Sequence, residues 1–234
     1  MSLGEGKHPE RVRAMFARIA HRYDLLNRLM TGGQDVRWRR EVIRKARLAP
    51  GERLLDIGAG TGDLAFEALR QQPRARVVAA DFTLPMMQVG RRRPESHRIA
   101  WVAADTLHLP FPDATFDAVV SGFLLRNVAD LPRALAEQYR VLKPGGRWVA
   151  LETVPPPRNL LWPFIAVHFR VVIPLMGKLI AGDADAYRYL PRTSETFRPA
   201  DRMLQMLRET GFRDVGATLR MFRTVAIYWG RKRN

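Results

Sequence analysis

The sequence predicts an α/β fold, a mostly parallel sheet with helices on both faces. Two observations carry this. Short apolar runs alternate with helical patterns from Arg53 to Thr153. Strand, helix, strand repeated in this way argues a parallel sheet with both faces covered. A glycine-rich turn follows the first run. The 234 residues are 47% hydrophobic, enough for one sizeable core, so a single domain is expected over 1–234.

The predicted core strands are Leu54–Ile57, Val77–Ala80, Ile99–Ala103, Phe116–Ser121 and Arg147–Leu151, with helices near 62–71, 84–92 and 130–142 between them. Lys143-Pro144-Gly145-Gly146 reads as a turn feeding the fifth strand. Residues 1–50 read as a helical cap. Val12, Met15, Phe16 and Ile19 fall at helical spacing, Tyr23–Met30 continues the pattern, Thr31-Gly32-Gly33 breaks it, and Arg37–Leu48 forms another helix. Residues 51–153 form the core. Residues 155–197 are an insert opened by Pro155-Pro156-Pro157, with an apolar helical stretch at Leu160–Ile180. Two prolines and Arg170 within that stretch argue against a bilayer span and for a buried or interfacial cap. Residues 198–234 supply a helix over Pro199–Thr210 and strands at Val215–Leu219 and Arg223–Trp229.

There are no cysteines, which excludes disulfides and thiolate nucleophiles. No cluster of His and carboxylates has metal-ligand spacing, so metal-free chemistry is expected. The first ten residues are polar and lack a secretory apolar core, so a cytoplasmic location is expected. The net charge is +16, and it lies in the flanks: +7 over 1–50, +2 over 51–150 and +7 over 151–234. A basic surface attracts polyanions, either nucleic acid or anionic lipid headgroups.

The strongest local signal is Leu54-Leu55-Asp56-Ile57-Gly58-Ala59-Gly60-Thr61-Gly62-Asp63. A strand ends in an acid, glycines turn the backbone tightly enough to approach a ligand, and a helix begins. The spacing is G-x-G-x-G, not that of a dinucleotide site. Asp81 ends the second run and is placed to accept from two ribose hydroxyls. Asp105 follows the third run and could accept from an adenine amino group. These ends should meet at the carboxyl edge of the sheet. Thr61, Phe82, Thr106 and Gly122 adjoin them and complete the expected cofactor set with Asp56, Gly58, Gly60 and Gly62.

The arrangement resembles the Rossmann-like class I methyltransferases, which implies a seven-stranded sheet with its last strand antiparallel and S-adenosyl-L-methionine as cofactor. A narrower resemblance covers nearly the whole chain. Met15 to Asn27 (MFARIAHRYDLLN), Arg37-Trp38-Arg39-Arg40, Leu107 to Asp113 (LHLPFPD), Leu125-Arg126-Asn127-Val128, Pro174 to Asp183 (PLMGKLIAGD) and Tyr187 to Pro191 (YRYLP) are similar to segments of the ubiquinone/menaquinone-biosynthesis C-methyltransferases. That resemblance implies C-methylation of a polyprenylated quinol, with demethylmenaquinol the leading substrate. It implies Arg126 for oxyanion stabilisation or water activation and Tyr23 for hydrogen bonding a ring hydroxyl. Asn127, Tyr187, Arg188 and Tyr189 follow as pocket residues. The sequence departs from the family pattern at Gly58, where a residue such as Ala is usual, and at Leu124, where glycine is usual, so Leu124 is expected to narrow the pocket near the cofactor. It departs again at Gln34-Asp35-Val36, which lacks a histidine, and at Arg192-Thr193-Ser194.

A polyprenyl product suits a protein lying on the inner face of the cell membrane through its basic flanks and apolar insert; a homodimer face is the other use of that insert. A nucleic-acid partner is not expected: cysteine-dependent pyrimidine methylation is impossible here, and the string used for amino methylation is absent after the fourth strand. Other readings are a small-molecule O- or N-methyltransferase, an RNA methyltransferase, and a non-catalytic cofactor-binding scaffold.

Overall fold

The computed structural model describes residues 9–158, 160, 162–176, 189 and 192–234. Helices α1 (Pro9–Ile19), α2 (Tyr23–Met30) and α3 (Gln34–Ala46) precede the sheet. The core then runs β1 (Arg53–Ile57), α4 (Asp63–Gln71), β2 (Arg76–Asp81), α5 (Leu84–Arg91), β3 (Ile99–Ala103), β4 (Phe116–Gly122), α6 (Leu131–Val141) and β5 (Leu142–Thr153). The insert contributes α7 (Trp162–Val167) and α8 (Ile173–Met176), joined by a π-helical turn. The chain closes with α9 (Ala200–Thr210), β6 (Arg213–Arg220) and β7 (Val225–Arg231).

The seven strands lie in the order β3-β2-β1-β4-β5-β7-β6. The first five are parallel, and β7 runs antiparallel to both β5 and β6. The chain steps outward from β1 to β3, then returns to place β4 on the other side of β1. The crevice between the carboxyl ends of β1 and β4 is therefore the switch point, where open α/β sheets bind ligands. Ile57 pairs with Ser121 there, which brings Gly58 beside Gly122.

Strand periodicity splits the core into two layers. Leu55, Ile57, Val119, Trp148 and Tyr228 face α6 and α9. Leu54, Val77, Val120, Val149 and Ile227 face α3 and α4. Deep in the first layer, Trp148 Nε1 donates to Gln138 Oε1 at 2.7 Å, whereas the buried Tyr228 hydroxyl has no hydrogen-bond partner among the described residues. A third cluster joins Met15, Ile19, Leu26 and Met30 of α1 and α2 to Ile165 and Ile173 of the insert.

Four boundaries differ from expectation. Strand β5 begins at Leu142, so Lys143-Pro144-Gly145-Gly146, expected as a turn before it, lies within it, with Gly145 at φ +71. Helix α3 begins at Gln34, not Arg37, because Gly33 turns left-handed (φ +75) and buried Asp35 in the first turn accepts from Thr31 Oγ1. The acid also suits the positive end of the helix dipole. The last strand begins at Val225, because Met221, Phe222 and Arg223 all take positive φ and form the β6–β7 turn. No glycine marks that turn. In the insert, the stretch expected as one helix is interrupted by the π-helical turn at His168–Val172, and 177–180 lie outside the described residues.

Gly90 lets α5 approach the first glycine turn: a Cβ there would meet Trp101 Cη2 at 2.3 Å and the Thr61 carbonyl oxygen at 2.7 Å. Gly90→Ala should lower unfolding stability by about 1–3 kcal/mol, as overpacking does, measured by urea denaturation.

Candidate active site

The carboxyl edge of the sheet opens into a cavity with about 1160 Å3 of free space including its mouth. Asp56, Asp81 and Asp105, from three successive strand ends, all line it, with Gly58, Gly60, Thr61, Phe82, Thr106 and Gly122. Gly62 does not line it, but its φ of +85 starts α4. Val12, Phe16 and Tyr23 of the N-terminal cap form the opposite wall, and Leu124 and Asn127 close one side.

Asp81 fixes the frame. Its Oδ2 accepts from Gly60 N at 2.8 Å and its Oδ1 from Thr83 N at 2.7 Å. Burial still raises its pKa above the ordinary carboxylate value, against those bonds. Asp56 is almost fully buried. Its Oδ2 accepts from Ala65 N at 3.1 Å, while Oδ1 has no hydrogen-bond partner among the described residues. Burial raises its pKa well above the usual range; the Ala65 N–H works against this and the Asp81 charge with it. Asp105 is exposed and accepts from Leu107 N at 2.9 Å.

An ion network that the sequence did not signal ties the cap to this frame. Asp63, at the start of α4, meets Arg93 at 2.7 Å, Arg39 at 3.5 Å and Arg28 at 3.6 Å. Burial alone would raise the Asp63 pKa, but Arg39 and Arg93 hold it below its usual value. Thr61 Oγ1 donates to Asp24 Oδ1 at 2.8 Å, and burial together with the Asp63 charge raises the Asp24 pKa. Arg39 lines the cavity; its motif was visible in the sequence, but its contacts span α3 and α4 and needed the fold.

Tyr23 packs edge-on against Phe16 with ring centroids 5.8 Å apart. Burial raises its phenol pKa, and the Arg126 charge partly opposes the rise, so Tyr23 is protonated at neutral pH. Arg126 is 4% exposed and does not line the cavity. Its guanidinium pairs with fully buried Glu152 and donates to the Phe123 carbonyl at 3.2 Å. Asn127 Nδ2 donates to the same carbonyl at 3.1 Å, and Tyr189 Oη donates to Asn127 Oδ1 at 3.2 Å. Tyr187 and Arg188 lie outside the described residues. Leu124 lines the cavity, with its side chain against Gly58.

Residues 4–232 match the model of the ubiE/COQ5 methyltransferase family. The chain belongs to that family. It is 46% identical over 221 residues to a protein named ubiquinone/menaquinone biosynthesis C-methyltransferase UbiE from Desulfotalea psychrophila, covering 94% of this chain and 90% of that one. It is 45% identical over 218 residues to demethylmenaquinone methyltransferase from Thermus thermophilus, covering 92% and 99%. Among solved structures it resembles the [4+2]-cyclase SpnF, with TM-score 0.68, 21% identity and 95% of each chain covered. Phosphoethanolamine N-methyltransferase 2 of Haemonchus contortus, solved with S-adenosyl-L-methionine, matches with TM-score 0.62 and 15% identity over 85% of this chain and 53% of that one. At those identities the structural matches establish the Rossmann-like class I fold and no more.

Asp56 generates a prediction with a definite sign. Its folded pKa lies above its unfolded one, so its favourable contribution is present at low pH and lost as pH rises through the folded value. Asp56→Asn should therefore raise the melting temperature of the ligand-free protein, and by more in weakly alkaline than in weakly acidic buffer. Equal effects in thermal melts at both pH values would count against a strained buried carboxylate.

Proposed function

We propose that this family member uses S-adenosyl-L-methionine to C-methylate a polyprenylated quinol, with demethylmenaquinol ahead of a benzoquinol. The observation that carries the reading is one cavity lined both by three strand-end carboxylates and by Tyr23 and Asn127 of the quinone-family motifs. When bound, the cofactor supplies an electrophilic methyl group on a sulfonium.

The residues present fit that cofactor. Asp56 Oδ1 is a buried acceptor with no partner among the described residues, suited to an ammonium group. Gly58 and Gly60, at φ +65 and +56, leave bare backbone beside it. Asp81, already anchored by two N–H groups, retains lone pairs for ribose hydroxyls, and exposed Asp105 can accept from an adenine amino group. Thr61, Phe82, Thr106, Gly62 and Gly122 shape the same site.

A quinol ring carbon becomes nucleophilic as a ring hydroxyl loses its proton, so the chain must orient that hydroxyl and stabilise the oxyanion. Tyr23, kept protonated, can donate to it, and Asn127 with Tyr189 orders the same wall. Arg126 acts through these groups as a positioning residue: its charge opposes the rise in the Tyr23 pKa, and its bond to the Phe123 carbonyl shapes the turn that carries Asn127. Tyr187 and Arg188 belong to the same motif and are assigned to the acceptor side by the resemblance alone.

The test is product analysis by mass spectrometry with labelled methyl donor and both quinol types. Methylated naphthoquinol is the expected product. Cofactor binding without turnover on either quinol would favour a binding scaffold instead. Arg126→Ala would strand buried Glu152 at a cost of about 3–5 kcal/mol, so Arg126→Lys is the better probe. It should lower turnover by about tenfold to a hundredfold, because a shifted Asn127 turn misplaces the acceptor, with cofactor affinity nearly unchanged. Equal turnover would remove Arg126 from the mechanism.

The same reading includes docking at an anionic membrane surface, from which a long prenyl tail could be drawn. Ile165 and Ile173 of the insert are buried against the cap, whereas Leu160, Phe164, Val167, Val171 and Leu175 are exposed, as are Leu25 and Leu29 of α2. The flanks that carry these residues hold most of the +16 charge. Among the described residues no helix is long and apolar enough to cross a membrane. The protein should float with liposomes containing anionic lipid, and Phe164→Glu with Val171→Glu should abolish flotation. No flotation of the unaltered chain, with a dimer seen by sedimentation, would assign the face to self-association.

A further inference from the structure

One side chain bridges the switch-point crevice. Leu124 follows β4, and a Cβ built on Gly58, just past β1, would meet Leu124 Cδ1 at 2.7 Å and both its Cβ and Cδ2 at 3.1 Å. Rotation about the side-chain bonds could move Cδ1 away, but Cβ follows the backbone, and that backbone is restrained. Phe123, the preceding residue, sits at φ +59, a conformation costly for a non-glycine residue. Its N–H donates to the Leu151 carbonyl at 2.7 Å, its carbonyl accepts from Arg126 and Asn127, and its ring lies 5.7 Å from the Arg39 guanidinium and 5.4 Å from that of Arg126. The Leu124 Cβ is thus held against the Gly58 turn, on the same short turn that carries Asn127. Both Leu124 and Gly58 line the cavity. The bulk at position 124 is accommodated because position 58 carries no side chain.

We propose that Leu124 is a specificity-determining residue, which limits the thickness of the acceptor that can reach the donor side. A flat fused ring passes beneath a leucine wall edge-on. A ring whose substituents stand out of its plane overlaps the wall. Hydrophobic walls discriminate by about 10- to 200-fold per methylene-sized difference, so the effect is measurable. This inference rests on the quinol C-methylation reading above.

The probes are a short-chain naphthoquinol, which is flat, and 2,3-dimethoxybenzoquinol, whose adjacent methoxy groups twist out of plane. The unaltered protein should favour the naphthoquinol in kcat/KM, and Leu124→Ala and Leu124→Gly should shift the ratio toward the dimethoxy compound by about tenfold or more. A second readout needs no turnover. Gly58→Ala should lower the urea midpoint, partly because φ there is +65, and the remainder of that loss should disappear when it is combined with Leu124→Gly, since the two side chains compete for one space. Additive midpoint shifts would overturn the wall itself. Activity on both quinols with a ratio unchanged by either Leu124 variant would overturn the inference alone. Inactivity of the unaltered protein on both would overturn the C-methylation reading and this inference together.

Discussion

The geometry of this protein hangs on one carboxylate. Asp81 takes an N–H from Gly60 with one oxygen and an N–H from Thr83 with the other. It thereby joins the turn after β1 to the turn after β2. The register of the two strands supports it, since Gly58 N and Ala59 N both donate to the Ala80 carbonyl, at 2.8 and 3.1 Å. Leaving either buried N–H unpaired would cost about 1–3 kcal/mol, so the anchor is structural before it is functional. Everything placed at the crevice inherits its position from this link.

Around that anchor the acids outnumber the bases. Asp24, Asp56, Asp63 and Asp81 gather near Arg28, Arg39 and Arg93. Burial raises the pKa of three of the four acids. Asp63 is the exception because its arginines neutralise it. The same network fastens the N-terminal helices to the glycine turn, which makes cap position and ligand-site shape a single structural variable.

On the other wall the logic is different. Glu152 and Arg126 form an ion pair shielded from water, and breaking either half is costlier than the pair is worth. The pair holds the turn carrying Asn127 and lends a fixed positive field to Tyr23. One wall of the cavity thus offers acids and the other offers neutral hydrogen-bonding groups backed by a buried cation. That division suits the proposed transfer from a cationic donor to a ring that becomes anionic.

The sheet was legible because its signals are local. Apolar runs bounded by turn residues mark β1 to β5, and an acid at a strand end followed by glycines marks the ligand edge. The acids Asp56, Asp81 and Asp105 could be named from sequence since a parallel sheet carries all its carboxyl ends to one side. The four-residue β6–β7 turn was not legible, because left-handed Met221, Phe222 and Arg223 leave no glycine to flag it. The start of α3 was hidden for a related reason, since buried Asp35 is stabilised by partners from α2. By itself, the sequence determined the fold class, the strand-end acids and the family motifs, because each depends on residues close in the chain. Tertiary structure alone decided that Arg126 is paired with Glu152 rather than open to the cavity, that Arg39 and Asp63 lock the cap, and that Leu124 lies over Gly58. Those contacts join residues from different elements, and a linear pattern carries no record of which distant side chains will share a buried space.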